Sequence, residues 1–239
     1  MRPAAGRGAR ATPSAERRPL TDEVLPALEI GPREDAAGAV VWLHGLGANG
    51  HDFEDVVPML ELPAVRFVLP HAPARPVTLN MGMIMPAWYD IVRLDGPDGH
   101  ANERHVRESC ARVAALVARE EQRGVRSERV VLAGFSQGGA IALHQGTRHP
   151  SRLAGILVLS SYEVLPQSRA EWTQANRATP ILFCHGSHDP LIPAERGRRA
   201  FEAHSNGVRE TEWHEYPMAH QVCLEEIEHV RGWLKARFA

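Results

Sequence analysis

The sequence predicts an α/β protein in which a mostly parallel central sheet is covered by helices on both faces. Short runs rich in Val, Leu and Ile recur along the chain. A run that is apolar on both faces is typical of a strand buried inside a parallel sheet. Longer segments with helical spacing separate these runs, as crossover helices separate parallel strands. No internal repeat interrupts this alternation.

Each predicted element follows from its own pattern. The strands are expected at the apolar runs 39–44, 65–70, 130–135, 153–160 and 180–186, with a last strand at 210–216. The helices are expected at about 50–61, 102–123, 138–148, 194–205 and 221–238. The helix at 102–123 is the clearest of these, because its apolar residues form one stripe, namely Val106, Cys110, Val113, Leu116 and Val117.

Length and composition indicate one large domain. The chain has 239 residues, of which 44% are hydrophobic, enough for a single core. We assign residues 21–239 to this domain and residues 1–20 to a disordered, arginine-rich tail. Twin arginines at 17 and 18 could suggest an export signal, but the acidic segment after them, interrupted by proline, argues against one.

Charge, hydropathy and cysteine content exclude several classes of partner. The 27 basic and 29 acidic residues leave a net charge of −2, which gives no electrostatic reason to expect nucleic acid. No apolar run approaches the ~18–20 residues of a membrane span, so we expect no stable membrane insertion. Three cysteines are too few for a disulfide framework, which indicates a reducing, cytoplasmic location.

A pentapeptide of the form G-x-S-x-G lies directly after one predicted strand and directly before a predicted helix. It reads Gly134-Phe135-Ser136-Gln137-Gly138. This is the nucleophile-elbow pattern in the setting that it requires. A sharp strand-to-helix turn leaves no room for side chains two residues before and two residues after the serine, where this sequence has glycine. Ser136 is therefore the predicted nucleophile.

A serine hydroxyl is a weak nucleophile unless a base removes its proton and a carboxylate orients that base. Asp189 is the only aspartate after Ser136, and it follows a predicted strand that would bring it to the same sheet edge. The glutamates that could replace it fall on predicted helices, at Glu195, Glu202, Glu225, Glu226 and Glu228. Asp189 is the predicted acid, and it can also form an Asx turn before Pro190.

Eight histidines follow Ser136, and topology selects His220 as the base. It alone lies in the loop between the last predicted strand and the last predicted helix. His185 and His188 flank Asp189, which leaves a metal site as an alternative interpretation, but one cluster without a separate third ligand is weak evidence. We therefore expect no metal at these residues.

The oxyanion of a tetrahedral intermediate needs two N–H donors. One is expected from the backbone of Gln137, directly after the nucleophile. The other is expected from Leu46, in the glycine-rich turn after the first predicted strand. A phosphate-binding loop is the competing interpretation of this turn, but no lysine follows it and the G-x-G-x-x-G spacing is absent.

Five motifs resemble segments of the small α/β-hydrolases of the carboxylesterase and acyl-protein thioesterase family, also called the phospholipase/carboxylesterase family. They are LHGLGANGHDF, PAWYDI, GFSQGGAIALH, HGSHDPLIP and YPMAHQVCLEEI, in family order over residues 38–238. The resemblance implies an α/β-hydrolase fold, Ser136, Asp189 and His220 as triad, Leu46 and Gln137 as oxyanion donors, and no cofactor.

The chain departs from the family pattern at Met81, where many bacterial members have glycine. In the family this segment lies over the acyl pocket, so Met81 and Met83 are expected in its wall as adaptable side chains. An ordinary apolar turn is the alternative. Other apolar residues near the predicted mouth complete the expected substrate site: Trp88, Tyr162 and Leu165.

The sequence as a whole predicts a serine carboxylesterase that hydrolyses small to medium acyl esters through an acyl-enzyme on Ser136. The expected partner is a small-molecule ester or thioester substrate, with no nucleic acid, and a homodimer is left open. Acyl-protein thioesterase or lysophospholipase activity is the near alternative. A non-catalytic binding protein is a distant one, because the triad is complete. A dienelactone-hydrolase-like enzyme would have cysteine in place of Ser136.

Overall fold

The computed structural model describes residues 24–93, 100–205 and 207–239, so the tail predicted at residues 1–20 lies outside it. The strands, in chain order, are β1 (Ala27–Ile30), β2 (Gly38–Leu43), β3 (Val65–Pro70), β4 (Ala74–Val77), β5 (Met83–Pro86), β6 (Ile91–Arg93), β7 (His100–Ala101), β8 (Val130–Phe135), β9 (Gly155–Leu159), β10 (Ile181–Gly186) and β11 (Thr211–Tyr216). The four α-helices among these residues are α1 (Glu103–Gln122), α2 (Gln137–Arg148), α3 (Ala194–His204) and α4 (Leu224–Phe238).

Seven strands form the central sheet, in the order β1-β3-β2-β8-β9-β10-β11. Strand β1 pairs antiparallel with β3, and every other neighbouring pair is parallel. The predicted mostly parallel sheet is confirmed. Because parallel strands point the same way, the carboxyl ends of β2, β8 and β10 meet at one edge of the sheet, where ligands bind in folds of this kind.

Helices cover both faces of the sheet, as the sequence predicts. Helices α1 and α2 bury apolar residues such as Val113 and Ile141 in one core layer, and α3 adds Ala200 beside α2 on the same face. Helix α4 packs Val230 and Trp233 into the opposite layer. Helix α1 begins at Asn102, whose side chain accepts the N–H of His105 at 3.2 Å.

The predicted helix at 50–61 is wrong. The structure has two short 3-10 helices there, Gly50–Phe53 and Val57–Leu60. A helix cannot run through this segment because Pro58 has no N–H to donate and Glu61 has a left-handed backbone, with φ 53°. Gly50 fits only without a side chain, since a Cβ there would lie 2.2 Å from the carbonyl oxygen of Leu69.

Two small hairpins fill the proline-rich region between β3 and α1. Strands β4 and β5 pair antiparallel around a 3-10 turn at Thr78–Asn80, and β6 pairs with β7. The carboxylate of Asp90 accepts both the N–H and the hydroxyl of Thr78, at 2.7 and 2.8 Å. These bonds fix the tip of the first hairpin over the carboxyl edge of the sheet.

The last residues of the chain are held at the opposite edge of the sheet. Arg129, just before β8, donates to the backbone oxygens of Phe238 at 2.7 Å and Ala239 at 3.2 Å. The Phe238 ring lies against Gly38, where a Cβ would come within 2.5 Å of it. Among the described residues, no helix is long and apolar enough to cross a membrane.

Candidate active site

Ser136 lies at the junction of β8 and α2, in a backbone conformation that side chains rarely adopt. Its φ is 54° and its ψ is −120°, and its N–H donates to Leu159 O at 2.8 Å. The flanking glycines make the turn possible. A Cβ on Gly134 would lie 2.3 Å from the backbone of Gly138, and one on Gly138 would lie 2.3 Å from Leu43 O. The turn therefore lifts the hydroxyl above the sheet edge in a strained, fixed position.

The structure brings the three predicted triad residues into hydrogen-bond contact. His220 lies in the loop between β11 and α4, and its Nε2 is 2.9 Å from Ser136 Oγ. Its Nδ1 is 2.6 Å from Asp189 Oδ2. Because a carboxylate can only accept, the Nδ1 atom carries the proton and Nε2 is left free to accept the serine hydroxyl. This is the arrangement in which a histidine can act as a general base.

The other carboxylate oxygen of Asp189 organises the loop after β10. It accepts the N–H groups of Leu191 and Ile192, each at 2.9 Å, so the Asx-type turn expected before Pro190 is present. Burial alone would raise the pKa of Asp189. Hydrogen bonds from His220 and from these backbone N–H groups outweigh it and lower the pKa below its ordinary value. The carboxylate is thus ionised where it orients the histidine.

The alternative of a metal site at His185, His188 and Asp189 finds no support in the described part of the chain, where no group of three ligating side chains is placed to hold an ion. His185 Nε2 lies 2.8 Å from Ile192 O, so the backbone is its partner. Burial lowers the pKa of His185. His188 is exposed. His185 therefore packs against the loop that carries the acid.

Two residues beside Ser136 have backbone N–H groups without a backbone acceptor in the part of the chain that the structure describes. The N–H groups of Leu46 and Gln137 donate to no other backbone group in the described residues, and both residues line the cavity over the serine. The N–H of Gln137 also belongs to the first turn of α2, where helices leave donors unsatisfied. The positions fit the two predicted oxyanion donors.

The turn that carries Leu46 is fixed by His44 and Trp88. His44 Nε2 accepts the N–H of Ala72 at 3.0 Å, and burial lowers the pKa of His44 to about 4, so the ring is neutral at pH 7. The indole N–H of Trp88 donates to His44 O at 2.8 Å. Gln137 adds a further tie, since its side-chain oxygen accepts the N–H of Trp88 at 2.7 Å.

A cavity of about 430 Å³ opens above the serine. Of the residues predicted for this site, Leu46, Ser136, Gln137, Tyr162 and His220 line it. Tyr162 is held in place by a 2.7 Å contact between its hydroxyl and that of Tyr89. The cavity has an apolar wall formed by Leu79, Ile91, Tyr162, Leu191 and Ile192, and a more polar part formed by Asp52 and Asn80.

The other four predicted substrate residues do not line this cavity. Met81 and Met83 point into solvent, with exposed fractions of 95% and 60%. Met81 occupies the left-handed turn at the hairpin tip, with φ 54°, which directs its side chain away from the sheet. Trp88 is fully buried and supports the oxyanion turn, and Leu165 packs into the core beside α1 and α2.

Sequence reasoning missed several of the residues that do line the cavity: Asp52, Leu79, Asn80, Ile91, Phe135, Leu191 and Ile192. One signal was available for two of them. Leu191 and Ile192 are apolar residues in a loop directly after the predicted acid, and a short loop at a sheet edge has no core of its own to bury them in. For Asp52 the sequence offered no comparable signal, because it lies within the segment predicted as a helix.

Comparison with known proteins agrees with this geometry. The family model described as "Phospholipase/Carboxylesterase" matches residues 28–237. An acyl-protein thioesterase 1 from Gibberella zeae is 38% identical over 82% of this chain and 88% of its own length. An acyl-protein thioesterase 1 from Mycosarcoma maydis is 37% identical over 89% of this chain and 97% of its own.

A solved structure extends the comparison to three dimensions. The crystal structure of Zea mays acyl-protein thioesterase 2 superposes with a TM-score of 0.80 at 28% identity, covering 90% of this chain and 99% of that one. The predicted α/β-hydrolase fold and the family resemblance are both confirmed. The chain belongs to the phospholipase/carboxylesterase family of α/β-hydrolases.

Proposed function

We propose that this protein is a serine hydrolase that cleaves carboxylic esters through an acyl-enzyme on Ser136. The observation that carries the proposal is the continuous hydrogen-bonded line from Asp189 through His220 to Ser136, with contacts of 2.6 and 2.9 Å. Family membership supports it. The substrate carbonyl is placed in the cavity above the serine, with its acyl chain against the apolar wall.

The reaction follows from the geometry. His220 Nε2 takes the proton of Ser136 as Oγ attacks the carbonyl carbon, and the N–H groups of Leu46 and Gln137 hold the oxyanion that forms. The tetrahedral intermediate collapses to the acyl-enzyme as the leaving group takes the proton from His220. His220 then deprotonates a water that attacks the acyl-enzyme, and the second tetrahedral intermediate releases the carboxylic acid as Ser136 Oγ takes the proton back. Asp189 holds the neutral imidazole in the required tautomer and stabilises the imidazolium that forms.

A thioester is the second candidate substrate class. The relatives from Gibberella zeae and Mycosarcoma maydis carry the name acyl-protein thioesterase 1. An acyl thiol leaves through the same tetrahedral geometry as an acyl alcohol, so the triad serves both. We include acyl thioesters with small to medium acyl esters in the proposed substrate range, and lysophospholipids stay a further alternative.

We also propose a cytoplasmic location for the protein. All three cysteines are free, with Cys110 and Cys184 buried, and burial raises the pKa of Cys110 to about 12, so this thiol resists oxidation. A chain with unpaired cysteines suits a reducing compartment. A homodimer stays a prediction.

The nucleophile assignment is tested with an organophosphonate that phosphonylates activated serines. We expect one label per chain, recovered on the peptide that contains Ser136. The variant Ser136→Ala should lose up to on the order of 10⁶-fold in kcat on p-nitrophenyl butyrate. Ser205→Ala, which alters an exposed hydroxyl at the end of α3, serves as the matched control and should keep the parent rate. Label on another serine would refute the assignment.

A further inference from the structure

The cavity above Ser136 is lined by the triad histidine, by apolar residues and by a single carboxylate. Of the residues that line the cavity, only Asp52 carries a carboxylate, and none is a lysine or an arginine. We propose that Asp52 forms a subsite for a cationic nitrogen on the leaving group of the substrate. The inference rests on the proposed function, and it names a substrate class within it: esters and thioesters whose alcohol or thiol part is positively charged.

Asp52 has no partner of its own in the described residues. Its carboxylate forms no hydrogen bond or ion pair with them, and its backbone N–H donates to Asn49 O at 3.0 Å. The neighbouring carboxylate of Glu54 has a partner of its own, since its Oε2 lies 2.7 Å from His51 Nδ1. Asp52 is exposed to solvent, so its unpaired carboxylate is accessible to a ligand that enters the cavity.

The surroundings of Asp52 disfavour its own charge. Partial burial raises the pKa of Asp52 above its ordinary value. A cation brought close to the carboxylate would replace the hydration that the cavity wall removes, and it would favour the ionised form. A neutral or anionic group in the same place would gain no such stabilisation. The site therefore discriminates by charge.

Asp52 lines the same cavity as His220, the residue that protonates the leaving group. The next residue, Phe53, packs on Phe135 with ring centroids 6.0 Å apart, and Phe135 packs on His220 at 4.8 Å. His220 Nε2 delivers the proton to the departing oxygen or sulfur. A row of aromatic rings thus joins the segment that bears Asp52 to the acid that releases the leaving group.

The segment itself is rigid enough to hold a subsite. The side chain of Asn49 accepts the N–H of His51 at 2.9 Å and caps the short 3-10 helix. The N–H of Gly50 donates to His71 Nδ1 at 3.0 Å. Gly50 also touches Leu69 closely enough that any side chain there would clash. These contacts leave the position of Asp52 little freedom.

The experiment compares two thioesters of equal shape and different charge. S-butanoylthiocholine has a trimethylammonium group on its leaving thiol, and the butanoyl thioester of 3,3-dimethylbutane-1-thiol has a tert-butyl group in the same place. The quantity measured is kcat/KM for the thiocholine ester divided by kcat/KM for the tert-butyl analogue. Each value is first divided by the rate of hydrolysis by hydroxide, which removes differences in intrinsic reactivity, and the ratio should exceed one in the parent protein. Asp52→Asn should lower the ratio by about fivefold, the size expected for an exposed charge pair.

A third thioester reverses the sign of the test. The butanoyl thioester of 3-mercaptopropionate carries a carboxylate on its leaving group, so Asp52→Asn should raise its kcat/KM relative to the tert-butyl analogue. Asp55→Asn is the matched control. Asp55 is an exposed aspartate three residues along the chain that does not line the cavity, and its removal should leave all the ratios at the parent values.

The outcomes separate this inference from the function on which it rests. Hydrolysis of the thioesters with ratios that Asp52→Asn leaves unchanged would refute the cation subsite and leave the hydrolase function standing. The same change in Asp55→Asn as in Asp52→Asn would show a general effect of surface charge and would also refute the subsite. If the parent protein hydrolyses neither p-nitrophenyl butyrate nor any of the three thioesters, both the subsite and the hydrolase function are overturned.

Discussion

Leu79 and Met81 lie two residues apart at the tip of the β4–β5 hairpin, and only Leu79 lines the cavity. Met81 is 95% exposed. Each methylene that a substrate buries contributes roughly 0.8 kcal/mol. Leu79→Ala removes part of the apolar wall and so enlarges the cavity. We therefore expect it to change the kcat/KM ratio of octanoyl to butanoyl p-nitrophenyl esters by about fivefold.

Met81→Ala is the matched control for this substitution, since it removes an apolar side chain from the same turn without touching the cavity. Its ester profile from C2 to C12 should superimpose on that of the parent. Equal shifts in both variants would mean that the whole hairpin tip moves onto bound substrate. Parent-like profiles in both would place the acyl chain elsewhere, along Ile91 and Tyr162.

Single residues also show which part of the site a sequence reveals. Ser136, Asp189 and His220 could be named because each lies where a predicted strand ends, and the ends of parallel strands meet. The cavity wall could not be named in the same way. Which side of a hairpin tip faces a cavity depends on strand register and on one left-handed residue, Met81, and the identity of the residues does not determine either.

At the scale of elements, the turn from β8 into α2 depends on close backbone contact. Gly138 leaves no room for a methyl group, since a Cβ would lie 2.3 Å from Leu43 O in the neighbouring strand. Gly138→Ala should push α2 away from β2, which costs about 1–3 kcal/mol in the free energy of unfolding. Because Ser136 begins the same turn, the rate of phosphonate labelling should fall as well, by more than roughly tenfold.

At Gly232 in α4, unlike at Gly138, there is room for a side chain. A Cβ there meets nothing within 4 Å, and alanine is favoured over glycine inside a helix by about 0.5–1 kcal/mol. Gly232→Ala should therefore raise the urea midpoint and leave the labelling rate unchanged. Urea unfolding and labelling kinetics on both variants check the pair. A stable, fully reactive Gly138→Ala protein would contradict the steric account of the turn.

Elements were predictable where burial and periodicity agree. Strands β2, β3, β9 and β10 are buried along their whole length, with apolar residues prevailing, and their sequences show it. Strand β1 was not predicted, because four residues at the antiparallel edge, with Glu29 among them, carry no continuous apolar signal. The segment 50–61 has apolar residues at suitable intervals, yet the proline and the tight contact of Gly50 prevent a helix.

At the scale of the whole molecule, a buried carboxyl makes stability depend on pH. Glu226, in the first turn of α4, is fully buried. Burial raises its pKa from 4.5 to about 8, and the backbone N–H of Cys223 offsets only part of this shift. Between pH 4.5 and about pH 8, Glu226 therefore stays protonated in the folded state but loses its proton in the unfolded state. The free energy of unfolding should therefore fall as the pH rises from about 4.5 to about 8.

Glu226→Gln removes this dependence. Relative to the parent, we expect the variant to gain about 3 kcal/mol in the free energy of unfolding between pH 5.5 and pH 8.5. Urea unfolding at several pH values measures the difference, with the exposed neighbour Glu225→Gln as the control that should track the parent. If the variant and the parent keep a constant difference across this range, then Glu226 does not titrate between the two states.

The anchoring of the last residues by Arg129 has a practical consequence for handling the enzyme. The backbone of Phe238 and Ala239 is held beside the amino ends of β2 and β8, whereas Ser136 follows the carboxyl end of β8. A linker attached after Ala239 therefore departs from the far side of the sheet. An enzyme tethered to a bead or fused to a partner through that linker would keep its cavity turned toward the bulk solution, with access of ester unimpeded.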